Sequence, residues 1–238
     1  MILPEGVHSR LRIVLVRPRN PLNIGAAARA MSNFGFPCLR VVNPYEVAFR
    51  EARSAVGAPE VLAGSEEFTS VADAVADCGL VVGTTALGHR EIQHPLRRLE
   101  QAAGIINSQS SRVALLFGSE KTGLSNRDFS HCHWLLRIPT LECNISMNLG
   151  QAVAVCLYEL IREGGSIPVP KHEDRADAQQ LERISGVLTE ALIAAGYANS
   201  EGRSATQQKV RRLVYRLNPS SADAELLLGM LRHVSRSK

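Results

Sequence analysis

Short apolar runs alternate with longer amphipathic stretches through the first two thirds of the chain. RIVLV (12–16) is β-branched and aliphatic, and predicts a strand. The turn-rich segment PRNPLNIG follows. AAARAMSNFG then reads as a helix, with Ile24, Ala27, Ala28 and Met31 near helical spacing and a stop around Gly35 and Pro37. CLRVVNP predicts a second strand, and SVADAVADC a short helix capped by Ser70. LVVGTT (80–85), RVALLFG (112–118) and HWLLRIP (133–139) predict three more strands. SMNLGQAVAVCLYELIRE (146–163) is amphipathic, with Leu149, Val153, Leu157, Leu160 and Ile161 along one side.

Strands alternating with helices predict an α/β domain over residues 1–163, with a mostly parallel sheet. The strands are apolar nearly throughout, as expected when helices cover both faces. GGSIPVPKHEDR (164–175) has the composition of a linker. Beyond it, helical periodicity at about 176–195, 205–217 and 222–235 predicts a small all-helical domain over 176–238.

The net charge of +4 is small, but its distribution is uneven. Residues 205–238 carry 7 Lys+Arg against 2 Asp+Glu, and Lys209, Arg212 and Arg216 share one face of the middle helix. That basic face points to an acidic partner such as nucleic acid; its alternative is a solvated helix surface. The five cysteines form no CxxC pair, which suits a reducing compartment. No signal-peptide core or membrane-length apolar run is present, so a soluble cytoplasmic protein without membrane contact is expected.

LLFGSEKTGLSNRD (115–128) has the glycine spacing of a P-loop, but Leu124 stands where the phosphate-binding lysine belongs. Lys121 lies inside the loop, off register. His131, Cys132, His133 and Cys143 are ligand types without zinc-site spacing, so no metal is expected. His133 then reads as half exposed on a strand and Cys132 as core. There is no GxSxG elbow, and NIGAAAR stands where a dinucleotide fingerprint would be. Three polar segments remain at predicted strand ends: Asn23 to Arg29, Phe117 to Gly123, and Ile138 to Asn148. In a parallel sheet, loops after the strand C-termini converge on one edge, where ligands bind. Residue by residue, the alternatives are simple: Asn23 or Ser146 as helix caps, and Glu120 as a loop charge.

Together and in this order, these segments resemble the motifs of the SPOUT superfamily of RNA methyltransferases, in particular the TrmH-like 2′-O-methyltransferases. Asn23 is followed six residues on by Arg29, a strand runs into FGSEKTGL, and Ser146-Met147-Asn148 opens a long helix. The likeness spans roughly residues 10–163. RIVLVRPRNPLNIGAAARAMSNFG, LVVGTT, ISMN and, more loosely, KVRRLVYRLNP narrow it to members that methylate tRNA at a pyrimidine of the anticodon loop, position 32.

The resemblance implies a trefoil knot, a homodimer with Asn148 and the helix after it near the interface, and S-adenosylmethionine as methyl donor. The donor would contact Thr84, Thr85, Ala86, Gly118, Ile138, Ile145, Ser146 and Met147, with glycine letting the loop backbone approach it closely. Arg29 is the implied catalytic arginine, facing the partner's cofactor and oriented by Asn23. Glu120 would hold a basic or hydroxyl group, and Ser146 and Asn148 would fix the knot loop and target nucleotide. Lys209, Arg212 and Arg216 would grip tRNA phosphates. Alternatives are ribosomal RNA or another tRNA position as substrate, or a non-catalytic RNA-binding protein on the same scaffold.

Overall fold

The computed structural model describes residues 7–47, 49, 59–86, 93–162, 174–197 and 202–236. Strands β1 (Leu11–Val16), β2 (Leu39–Val42), β3 (Glu66–Phe68), β4 (Leu80–Thr84), β5 (Leu96–Arg98), β6 (Val113–Phe117) and β7 (Trp134–Arg137) form one sheet. All its pairings are parallel, in the order β3-β2-β1-β6-β4-β7-β5. The five predicted strands are the five central ones. The two without an apolar signature, β3 and β5, are three-residue edge strands whose side chains are mostly exposed. Edge strands need little apolar character because water meets them on one side.

Helices α1 (Val7–Arg10), α2 (Pro21–Phe34), α3 (Pro59–Ala63), α4 (Val71–Val75), α5 (Leu99–Asn107), α6 (Asn126–Phe129) and α7 (Leu149–Arg162) connect and flank the strands. α2 begins inside the segment read as a turn. Asn20 caps it by accepting the Leu22 N–H, and Pro21 occupies the first turn, where its missing N–H costs nothing. Ser70 caps α4 as expected.

Strand alternation divides the core. Ile13, Leu15, Val41, Val82, Leu115 and Leu136 face α2, α5 and α7 on the first face. Val14, Val16, Val42, Val81, Leu116 and Leu135 face the second. Each fully buried aliphatic side chain of this kind contributes about 1.5–3 kcal/mol. α2 and α7 pack closely: a Cβ on Gly150 would lie 2.5 Å from the Ala26 Cβ, so only glycine permits this approach.

The second face is covered by α4 and by α8 (Ala178–Ala194), α9 (Arg203–Leu217) and α10 (Ser221–Arg236). These three helices match the predicted helical tail. They share one core with the sheet, since Leu181, Ile184, Val210, Val214 and Tyr215 cluster with Val81 and Leu135. Most of the predicted 164–175 linker lies outside the described residues. The strand order, with β4 between β6 and β7, is consistent with the implied knotted fold. Among the described residues, no helix is long and apolar enough to cross a membrane.

Candidate active site

The three polar segments meet at the C-terminal edge of the central strands, around a cavity of about 520 Å³. Its walls come from the ends of β4 (Thr84, Thr85, Ala86), β6 (Phe117, Gly118) and β7 (Leu136, Ile138, Thr140), and from the approach to α7 (Ile145 to Leu149). All eight residues expected to contact the methyl donor line it. So do Asn23, Glu120, Ser146 and Asn148. The Thr84 hydroxyl donates to the Leu116 carbonyl (2.9 Å), which pins the end of β4 to β6.

A chain of hydrogen bonds joins the segments at the cavity mouth. The Asn148 Oδ1 accepts the Gly150 N–H (2.9 Å) and so caps α7. The Asn148 side-chain amide donates to the Asn23 Oδ1 (2.7 Å). Asn23 Nδ2 donates to Glu120 (3.1 Å), whose carboxylate also accepts the backbone N–H groups of Arg19 and Asn20 (both 3.1 Å). Both capping alternatives therefore fail, because the caps are Asn20 and Asn148, not Asn23 and Ser146. Glu120 holds backbone and amide donors here rather than a basic or hydroxyl group. The Ser146 hydroxyl has no hydrogen-bond partner among the described residues.

The glycine loop closes on itself. The Gly123 N–H donates to the Ser119 carbonyl (2.7 Å), and Gly123 adopts φ 66°, a left-handed conformation suited to glycine. A Cβ on Gly118 would lie 2.0 Å from the Gly123 carbonyl carbon. The first glycine is thus required by the loop's own backbone, not only by the approach of a ligand. Leu124 is buried in the second-face core, and the loop runs into the four-residue α6. That geometry removes the P-loop reading. Asp128 anchors the loop's exit by accepting from the Ser125 N–H and hydroxyl, and it pairs with Arg17 at the end of β1. Burial would raise the Asp128 pKa, but the bonds from Arg17 and Ser125 hold it below the usual carboxylate range.

Arg29 does not line the cavity. It is exposed on α2, six residues beyond Asn23, which is about 9 Å along a helix axis. Leu22 (79% exposed) shares its helical face, and on neighbouring α7 Val155 and Tyr158 are also exposed. The cavity gains residues that the motifs did not flag: Lys121, Thr140, Leu124 and Phe129. Lys121, a cation inside the glycine loop, was the available signal.

His133 is buried, not half exposed. Its Nδ1 accepts the Val81 N–H (3.0 Å), and burial pushes its pKa down to about 4. Cys132 is core as expected, and Cys143 is exposed. Among the described residues, no group of three or more His, Cys, Asp or Glu side chains is placed to hold a metal. Lys209 and Arg216 are exposed on α9, and Arg212 is half-buried.

Residues 10–158 match the SpoU rRNA Methylase family. The chain is 32% identical over 236 residues to the tRNA (cytidine/uridine-2'-O-)-methyltransferase TrmJ of Klebsiella pneumoniae, covering 95% of this chain and 96% of that protein. The crystal structure of TrmJ from Z. mobilis ZM4 superposes with a TM-score of 0.83 at 33% identity, over 94% of this chain and 98% of that one. A structure described for 2-OH methylation of C/U34 on tRNA superposes with a TM-score of 0.50 at 26% identity. It covers 95% of that protein but only 64% of this chain.

Proposed function

Because this chain belongs to the SpoU rRNA Methylase family, we propose that it methylates a ribose 2′-hydroxyl of tRNA, using S-adenosylmethionine. The target we assign is a pyrimidine of the anticodon loop, position 32. The observation that carries the reading is the Asn148–Asn23–Glu120 chain, which joins three distant segments at the mouth of one cavity. The similarity to TrmJ along the whole chain, tail included, supports this substrate over the C/U34 reading, whose protein matches only part of this chain. We place its action on tRNA in the cytoplasm.

The cavity fits the methyl donor. Its volume lies within the ~300–1,000 Å³ usual for ligand pockets. Leu136, Ile138 and Ile145 offer apolar walls to a flat base, and Thr84, Thr85 and Ser146 would offer polar groups to the rest of the donor. Bound there, the sulfonium supplies an electrophilic methyl group. The chain's own residues then have to position the ribose and stabilise charge at its 2′-oxygen. Ser146, whose hydroxyl is uncommitted, and the amides of Asn23 and Asn148 hold the ribose at the mouth. The Arg29 guanidinium offers only donors, so it stabilises the developing alkoxide or clamps a phosphate, and the 2′-hydroxyl proton leaves to solvent water. A second copy docks on the exposed faces of α2 and α7, across Leu22, Val155 and Tyr158, and brings Arg29 to the partner's cavity. Lys209, Arg212 and Arg216 grip the tRNA backbone.

The test is methyl transfer from labelled S-adenosylmethionine to bulk tRNA and ribosomal RNA, with the site mapped by resistance to alkaline cleavage. Label at position 32 of tRNA, lost in Arg29→Ala, is expected; label at C/U34, in ribosomal RNA only, or in neither overturns the assignment. Co-expressing Arg29→Ala with Gly118→Ala tests the dimer. If Arg29 serves the partner's cavity, the mixed dimer regains activity that both parents lack.

A further inference from the structure

The residues assigned to tRNA so far lie on α9. The sheet beside α9 carries arginines that no function has absorbed. β5, β7 and α9 together contain Arg97, Arg98, Arg137, Arg203, Lys209, Arg211, Arg212 and Arg216, and no acidic residue. Arg97 packs over Trp134 on the first face, and Arg211 is used internally against Glu182. Arg98 and Arg137 are different. Arg137 lies two residues past Leu135, so it shares the second face, and Arg98 is its register partner on β5. α9 covers that same face.

The helix contacts the segment that leads into the edge strand. Arg216 Nη1 donates to the Gln93 carbonyl (3.4 Å), just before β5. The His94 ring lies tilted near Phe129 (6.3 Å between ring centroids), and Phe129 lines the cavity. The His94 imidazole is pushed down to about 4, first by burial and then by the charges of Arg212 and Arg216. Arg137 Nε and Arg212 Nε are buried without a hydrogen-bond partner among the described residues, as is His94 Nε2. Buried donors are almost always satisfied, so these two guanidinium groups keep hydrogen-bonding capacity that nothing else among the described residues uses. The Arg98 guanidinium is exposed and, among the described residues, pairs only with Glu100, also exposed.

We propose that the basic surface running from α9 to the β5–β7 edge is a phosphate track for RNA, with Arg137 and Arg98 contributed by the sheet and Arg212 and Arg216 by the helix. The inference rests on the proposed RNA substrate and extends its grip from the helix to the sheet. The forked guanidinium geometry suits phosphate oxygens, which accept two N–H bonds at once. His94 lies beside Arg212 and Arg216 and packs near Phe129 of the cavity wall, so a strand held on this surface lies close to the site proposed for the reacting ribose.

The experiment measures binding of unmodified tRNA by full-length protein across a salt series, with S-adenosylmethionine affinity measured in parallel by calorimetry. Arg98→Gln and Arg137→Gln should each weaken tRNA binding about five- to tenfold and lower the log–log salt slope by about one. Arg137→Lys should restore most of the slope, and cofactor affinity should stay within about twofold of the parent in all three. Exposed Arg98 keeps the test valid if Arg137→Gln misfolds. A double variant that binds tRNA like the parent, with cofactor binding intact, overturns the track and leaves the proposed methylation standing. A parent that methylates no RNA, while the variants lose RNA affinity, supports the track and overturns the proposed reaction.

Discussion

On the first face of the sheet, α2 and α7 meet through Gly150 and Ala26 over an aliphatic core. On the second, the helices close over an aliphatic core that carries buried charge beside it. Arg211 pairs with Glu182 (2.9 Å) and reaches the Ser130 hydroxyl (3.3 Å), while His131 Nδ1 lies 3.2 Å from the same carboxylate. Further along, Arg40 holds Asp77 (2.5 Å), Glu66 (2.8 Å) and the Ala74 carbonyl (2.9 Å). The Asp77 pKa falls far below the usual carboxylate range, chiefly through its bond from Arg40. Glu182 is likewise depressed: burial would raise it, but His131 and Arg211 outweigh that. The apolar face sets distances, because Asn23 and Asn148 are neighbours only if two helices touch. The charged face sets which helices dock, and it ties their docking to protonation.

The largest expected effect breaks the charged face. Arg211→Met should cost about 3 kcal/mol in urea denaturation, because it leaves the buried side of Glu182 without its cation. Adding Glu182→Leu should recover much of that loss. A double variant no better than the single one would mean that the pair is not the docking contact. Gly150→Val tests the apolar face. Overpacking should cost about 2 kcal/mol and separate Asn148 from Asn23, so activity falls further than stability alone explains. Full activity in a folded Gly150→Val protein would show that the relay needs no close helix contact.

The smallest effect sharpens the contrast by pH. His133, with its pKa near 4, stays neutral in the fold where the unfolded imidazole takes a proton at about 6.5. Its contribution is therefore complete above pH ~6.5 and declines as pH falls toward 4. This group alone should cost about 2 kcal/mol of stability from pH 7.5 to 5, and His133→Gln should flatten that slope. An unchanged slope in the variant would assign the acid sensitivity elsewhere, with His94 the next group to test.

How much of this was legible before the structure follows from burial. The five central strands are covered on both faces, so their sequences are apolar throughout and easily read. β3 and β5 are exposed edges, and EEF and LRR carry no such signal. The start of α2 was missed because Asn20 and Pro21 belong to turns as readily as to a cap and first turn. The cavity lining followed from the resemblance, and the structure brings all those residues together. Arg29 stayed apart because one chain presents it outward. Arg137 was hidden at the end of an apolar run, where only strand register shows which face it shares.

The relay at the cavity mouth has a consequence for ionic strength. Among the described residues, Glu120 is balanced by two backbone amides and one side-chain amide, not by a cation. Mobile ions screen such short dipolar contacts far less than they weaken a grip on phosphate. Raising salt should therefore strip nucleic acid from the arginines while leaving the mouth assembled. A high-salt wash would yield an empty but intact pocket, and substrate release becomes separable from damage to the machinery that receives it.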